Sequence, residues 1–149
     1  MAKMQSFGLD AVAVQLKELG QQTGPVAQRM LEAGAGELKA LWRKEISARG
    51  HVDTGDMLES VDATEPKKSA DGLMVEVYPQ GNDRKGVSNA EKAYLLHYGW
   101  KGRATRKKAD GTRGKNAKKG DHFVDAIEKA APDLVQAAME KALDRALGK

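Results

Sequence analysis

Residues 101–120 set the first constraint on this chain, because they cannot belong to a core. The stretch holds nine basic side chains and one acidic one, with alanine its only apolar residue type. Four glycines, at 102, 111, 114 and 120, interrupt it. Such a stretch offers almost nothing to bury, so the fold must be built from the chain on either side. It reads as a long exposed loop or an extended hairpin arm, with Asp110-Gly111 as its tip. A connection of about 20 residues is uncommon inside a compact domain and is usually functional.

The charge divides along the same line. The stretch carries a net +8 within a chain of net +4, so the remainder carries −4. The basic side chains are Lys101, Arg103, Arg106, Lys107, Lys108, Arg113, Lys115, Lys118 and Lys119. An arm of this kind attracts phosphate by counterion release without reading sequence. It contains no aromatic residue, so base stacking is not indicated. An acidic protein partner, or plain solvation of a surface loop, uses the same charge.

A length of 149 residues fits one domain, 1–149, with 101–120 inserted before a C-terminal helix. There is no cysteine, which excludes a disulfide framework and thiolate zinc. No apolar run reaches the roughly 20 residues of a membrane helix, so no membrane partner is expected. Met1 to Asp10 lacks the apolar centre of a signal peptide.

The periodicities predict an α+β fold. N-terminal helices and a long C-terminal helix pack on a small antiparallel sheet, with the basic loop or hairpin arm outside it. Leu9, Val12, Leu16 and Leu19 follow helical steps, with Asp10 as cap and Gly20 as stop. Gly24-Pro25 starts a second helix, striped by Ala27, Met30, Leu31, Gly34, Leu38, Leu41, Trp42 and Ile46. Gly34 lies on the stripe, where close helix contact would justify it. Val61 to Glu65 and Leu73 to Tyr78 read as two strands joined at Asp71-Gly72, with Pro66 ending the first or placing it at an edge. Asn89 caps a short helix through Ala93, Leu96 and His97. The last helix carries a wide stripe from Phe123 to Leu147 that includes Ala130 and Leu134. Pro132 is expected to kink or break it near Ala131.

Catalytic patterns are weak. His51, His97 and His122 form no metal-binding pair by spacing, and neither a nucleophile elbow nor a phosphate loop is present. Asp53, Asp56 and Glu59 could hold magnesium in principle, which would suit a metal-dependent nuclease using Asp53 and Asp56. Helix starts attract acids for capping and dipole reasons, which is the plainer reading.

Three segments, in order, carry a resemblance. Gly50-His51-Val52-Asp53-Thr54-Gly55-Asp56-Met57-Leu58-Glu59-Ser60-Val61 resembles the Val-Asp-Thr-Gly-x-Leu-x-x-Ser-Ile signature of tailed-bacteriophage neck and tail-completion proteins. Two residues separate Gly55 from Leu58, which puts Met57 near the family's apolar position. Ala93-Tyr94-Leu95-Leu96-His97-Tyr98-Gly99 resembles the family's segment of Tyr, then an aromatic or aliphatic residue, any residue, Glu or His, Tyr or Phe, and Gly. Asp121-His122-Phe123-Val124-Asp125-Ala126 resembles the aromatic start of its last helix. The chain departs in having His51 where the family often has Pro, and the basic arm where it often has a short Pro-Phe-Leu turn.

The resemblance implies a non-enzymatic virion part without catalytic, metal or cofactor residues. It implies a ring homo-oligomer at the head–tail junction through which DNA passes, assembled in the host bacterial cytoplasm. Head-closure or connector proteins and tail-terminator or tail-tube proteins would adjoin it, with the arm reaching a neighbour or lumen DNA. Val52, Asp53, Thr54, Gly55, Leu58, Ser60, Tyr94, Tyr98, Gly99 and Phe123 are expected to define the fold. The rival reading is a stand-alone, sequence-nonspecific nucleic-acid-binding protein using the arm.

Overall fold

A computed structural model describes residues 2–7, 11–16, 24–70, 72–100 and 118–148, the first two segments by backbone alone. Two long helices cross one face of an antiparallel sheet. The first, α1 (Gly24–Ala48), buries the predicted stripe from Ala27 to Ile46, together with Ala35. The second, α4 (Phe123–Ala146), packs along it. Gly34 marks the closest approach: a Cβ there would lie 3.0 Å from Val135 Cγ1 and 3.2 Å from Met139 Cγ. Gly36, two residues on, faces open space.

The sheet is centred on β5 (Gly72–Pro79). Along one edge of β5 run β3 (Val61–Ala63) and β4 (Lys67–Ser69), paired to its two ends on either side of Pro66. The predicted hairpin is therefore present as two short strands rather than one. Proline lacks the N–H that a continuous ladder would need. Val61, Val75 and Val77 point into the core beneath α1.

The N-terminal segment differs from its predicted helix. It forms β1 (Ala2–Phe7) and β2 (Ala11–Leu16), and β2 pairs with the other edge of β5. Val12, Val14 and Leu16 stand opposite Val77, Val75 and Leu73. These residues satisfy an alternating pattern as well as a helical one, and pairing with an open strand edge favours the extended form. Leu9 and Leu19, the ends of the expected helical stripe, lie outside the described residues.

Helix α4 runs on unbroken where a kink or break was expected. Pro132 sits inside it, on the exposed face. The carbonyl that loses its donor there, four residues back at Glu128, can turn to water. The buried stripe is narrower than predicted: Phe123, Val124, Ile127, Ala131, Val135 and Met139 are inside. Ala130 and Leu134 are outside.

Between these layers sit α2 (Asp56–Glu59) and α3 (Asn89–Tyr98). Ser88, not Asn89, caps α3, accepting the Glu91 N–H at 3.3 Å. Asn89 is buried one position further in, where its side chain donates to the Gln80 carbonyl at 3.0 Å.

The two glycines of α1 give opposite expectations. Gly36→Ala should raise the unfolding free energy by about 1 kcal/mol through helix propensity alone. Gly34→Leu should lower it by about 2 kcal/mol, because Val135 and Met139 already occupy the space. Urea unfolding of the two variants against the parent checks both.

Candidate functional site

The segment expected to form the arm lies outside the described residues up to Lys118, but the two strands that flank it form a foot that the sequence alone does not reveal. Strands β6 (Gly99–Trp100) and β7 (Lys118–Lys119) pair antiparallel, Gly99 opposite Lys119 and Trp100 opposite Lys118. Here two backbones nearly touch. A Cβ on Gly120 would fall 1.9 Å from the His97 carbonyl oxygen, and one on Gly99 would fall 2.2 Å from that of Lys118. Gly99 also holds φ +77° and ψ −177°, a conformation essentially restricted to glycine. Just beyond, the Asp121 and His122 N–H groups donate to the Leu96 and His97 carbonyls, both at 3.2 Å. The end of α3 is thus closed by the chain that returns from the arm.

Asp121 then ties the foot to the rest of the body. One carboxylate oxygen accepts the Phe123 N–H at 3.1 Å, at the start of α4. The other lies 2.6 Å from His51 Nε2. Arg49 reaches the same residue, donating to its carbonyl at 3.1 Å. Phe123 fills the space behind. Its ring centroid is 5.8 Å from Trp42, 5.1 Å from His51 and 6.1 Å from His97, each pair edge to face. The three segments singled out in the sequence therefore meet around one buried ring.

The histidines are engaged. His97 is buried, and its Nδ1 accepts the Val124 N–H at 3.1 Å. The ring proton must then sit on Nε2, which faces Asp125 Oδ1 at 3.6 Å. His122 lies across from both, with Nδ1 3.7 Å from Asp125 Oδ2. His97, His122 and Asp125 are spaced closely enough for a metal ion. A metal on His97 Nε2 would need that proton removed while Nδ1 still accepts a backbone N–H, so the donor set does not fit one. Burial holds His97 below the usual histidine range, opposed mainly by the Asp125 carboxylate.

The acidic cluster is equally committed. Arg84 grips Asp56, Nη2 to Oδ1 at 2.6 Å and Nε to Oδ2 at 2.9 Å, and adds its backbone N–H. These bonds hold the Asp56 carboxyl far below the usual carboxylate range. Lys92 pairs with Asp83, whose carboxyl is likewise lowered. Asp53 and Glu59 remain exposed. With Asp56 turned to Arg84, the three carboxylates do not converge as magnesium ligands.

A groove of about 470 Å3 separates the Gly50–Gly55 loop from α3. Val52, Met57, Leu95, Leu96 and Trp100 give it apolar walls, and Lys118 lies at its rim. Of the other expected residues, Thr54 is exposed and Gly55 takes φ +86° ahead of α2. Leu58 packs against the core, and Ser60 Oγ donates to the Met57 carbonyl at 2.8 Å. Tyr94 and Tyr98 lie on the outer side of α3, and Lys118 and Lys119 are exposed in β7. Lys101, Arg103, Arg106, Lys107, Lys108, Arg113 and Lys115 lie outside the described residues. The pairings His51–Asp121 and Arg84–Asp56, 70 and 28 residues apart, have no periodic signal in the sequence.

Around Phe123 the motif segments pack and pair with one another, which defines a common body for the three. Comparison with known proteins specifies its class. Residues 10–99 match the family model described as "Bacteriophage HK97-gp10, putative tail-component". The chain belongs to this HK97-gp10-like family of phage structural proteins. No curated protein and no solved structure shows significant similarity. The matched region ends at Gly99, where the foot begins.

Two outcomes test the site. Asp121→Ala, which removes the His51 contact and the bond from the Phe123 N–H together, should cost about 2 kcal/mol in denaturant unfolding. His97 should make stability fall as pH drops through about 6.5. Below that value the unfolded chain takes up a proton that the buried ring resists. His97→Gln, which keeps an acceptor but does not titrate, should flatten this part of the stability-against-pH curve.

Proposed function

We propose that this protein is a neck or tail-completion subunit, forming a ring at the head–tail junction through which DNA passes. Head-closure or connector proteins would lie on one side and tail-terminator or tail-tube proteins on the other. The observation that carries this reading is the foot. The family match ends at Gly99, and a segment of net +8 follows on a clamped two-stranded base. A clamped base suits an arm that reaches from a fixed subunit toward a neighbour or toward DNA in the lumen. Of the motif residues, Leu58 and Phe123 are used in packing and Gly99 in closing the foot, which supports the same reading.

A second reading, free nucleic-acid binding, draws on the nine basic side chains of residues 101–120. The two are separable. Deleting residues 103–116 leaves both foot strands in place. On the neck reading, the variant folds and particle assembly falls, while the parent protein binds free duplex weakly. On the second, the parent binds duplex DNA with a log–log salt slope of about −0.9 per phosphate neutralised, and the deletion abolishes binding. Electron microscopy of particles then decides location. Density for this subunit is expected at the head–tail junction, and its absence there overturns the neck reading.

A further inference from the structure

The chain has seven Phe, Trp and Tyr residues, and three of them lie exposed at the foot of the arm. Tyr94 is 45% exposed, Tyr98 50% and Trp100 37%. Tyr94 and Tyr98 stack edge to face at 4.9 Å, and Tyr98 continues to His97 at 4.6 Å and to His122 at 6.2 Å. His122 is held in a left-handed backbone conformation, φ +54°, with its side chain exposed. Lys118 Nζ lies 5.8 Å from the Trp100 ring centroid. Exposed Tyr and Trp with a cationic margin are the composition of a protein–protein hot spot.

We infer that this aromatic ladder docks on the outer face of α4 of a second copy of the chain, and that this is the head-to-tail contact of the ring. The inference rests on the ring reading proposed above. Charge identifies the occupant. Asp133, Glu140 and Asp144 recur at seven- and four-residue steps on the face of α4 turned away from the core, with Ala137 between them. None of the three forms an ion pair among the described residues. Leu134, 44% exposed, adds an apolar contact beside them. This acidic strip complements Lys118 and Lys119, both exposed in β7. In return, Lys129 and Lys141 flank the strip and can meet Glu91 and Asp125, the exposed acids beside the ladder. Those two acids repel phosphate, which favours a protein partner over nucleic acid.

The geometry suits a ring. At 1.5 Å per residue, the strip begins about 12 Å along α4 from Asp125 and ends nearly 30 Å away. The two patches are thus distinct. A contact between unlike patches propagates around a rotation axis, whereas a self-matching patch stops at a dimer.

The absence of cysteine makes a direct test possible. Phage particles are assembled with Tyr98→Cys/Leu134→Cys and, separately, with Tyr94→Cys/Ala137→Cys, and treated with a short bismaleimide. A ladder of covalent dimers, trimers and higher species is expected from either double variant, and none from the single variants. Incorporation without a ladder in both pairs overturns the contact but leaves the ring reading intact. So does cross-linking by a single variant, which would mean like patches meet. Absence of the parent subunit from particles overturns the ring reading itself. Should the double variants fail to incorporate, Asp133→Lys/Glu140→Lys decides: loss of incorporation supports the contact, and normal incorporation overturns it.

Discussion

The Asp121 carboxylate is the interaction on which the architecture depends. It sits where the chain returns from the arm and must find the body again. One oxygen starts α4 and the other holds His51, so a single side chain fixes the last helix against the loop that follows the first. The adjacent Gly120 permits this, because its backbone lies against the end of α3 with no room for a side chain. Phe123 then drops between Trp42, His51 and His97. Breaking the carboxylate contacts would loosen three elements at once, since hydrogen bonds to a charged group are among the stronger ones.

This arrangement explains how a domain poor in aromatic residues holds together. Most of its core is aliphatic, from α1, α4 and the valines of β3 and β5. Among the described residues, the fully buried aromatic rings of Trp42 and Phe123 are placed together where distant segments converge. Elsewhere the ties are surface ion pairs such as Lys39–Asp62 and Arg84–Asp56, which fix loops more than they stabilise the whole. Membership of the HK97-gp10-like family is consistent with this economy. A part that fills a place in a particle gains further stability from its neighbours.

Much of this was legible in the sequence, and particular residues show why the rest was not. The α1 stripe and the close approach at Gly34 followed from helical spacing, because burial imposes that period directly. The N-terminal segment did not, since Val12, Val14 and Leu16 satisfy two periods and only a partner strand distinguishes them. Pro132 signals a kink or break, and the helix is unbroken because a proline on the solvent side leaves its freed carbonyl accessible to water. The Val-Asp-Thr-Gly segment was found as a motif, yet its contact with Asp121 is set by tertiary packing alone. Tyr94 and Tyr98 carried the resemblance without showing which way they face, because aromatic residues suit cores and interfaces equally.

The clamped foot has a consequence for how such a chain can change over time. With Gly99 and Gly120 fixed against each other, whatever lies between them is a closed insertion whose ends are already joined. Closure entropy grows only with the logarithm of loop length, so doubling the insertion costs only about 0.6 kcal/mol. Replacing the residues between the foot strands would therefore change the chain's charge at little cost in closure entropy. The family match ends at the first residue of the foot, so it does not prescribe what is carried there.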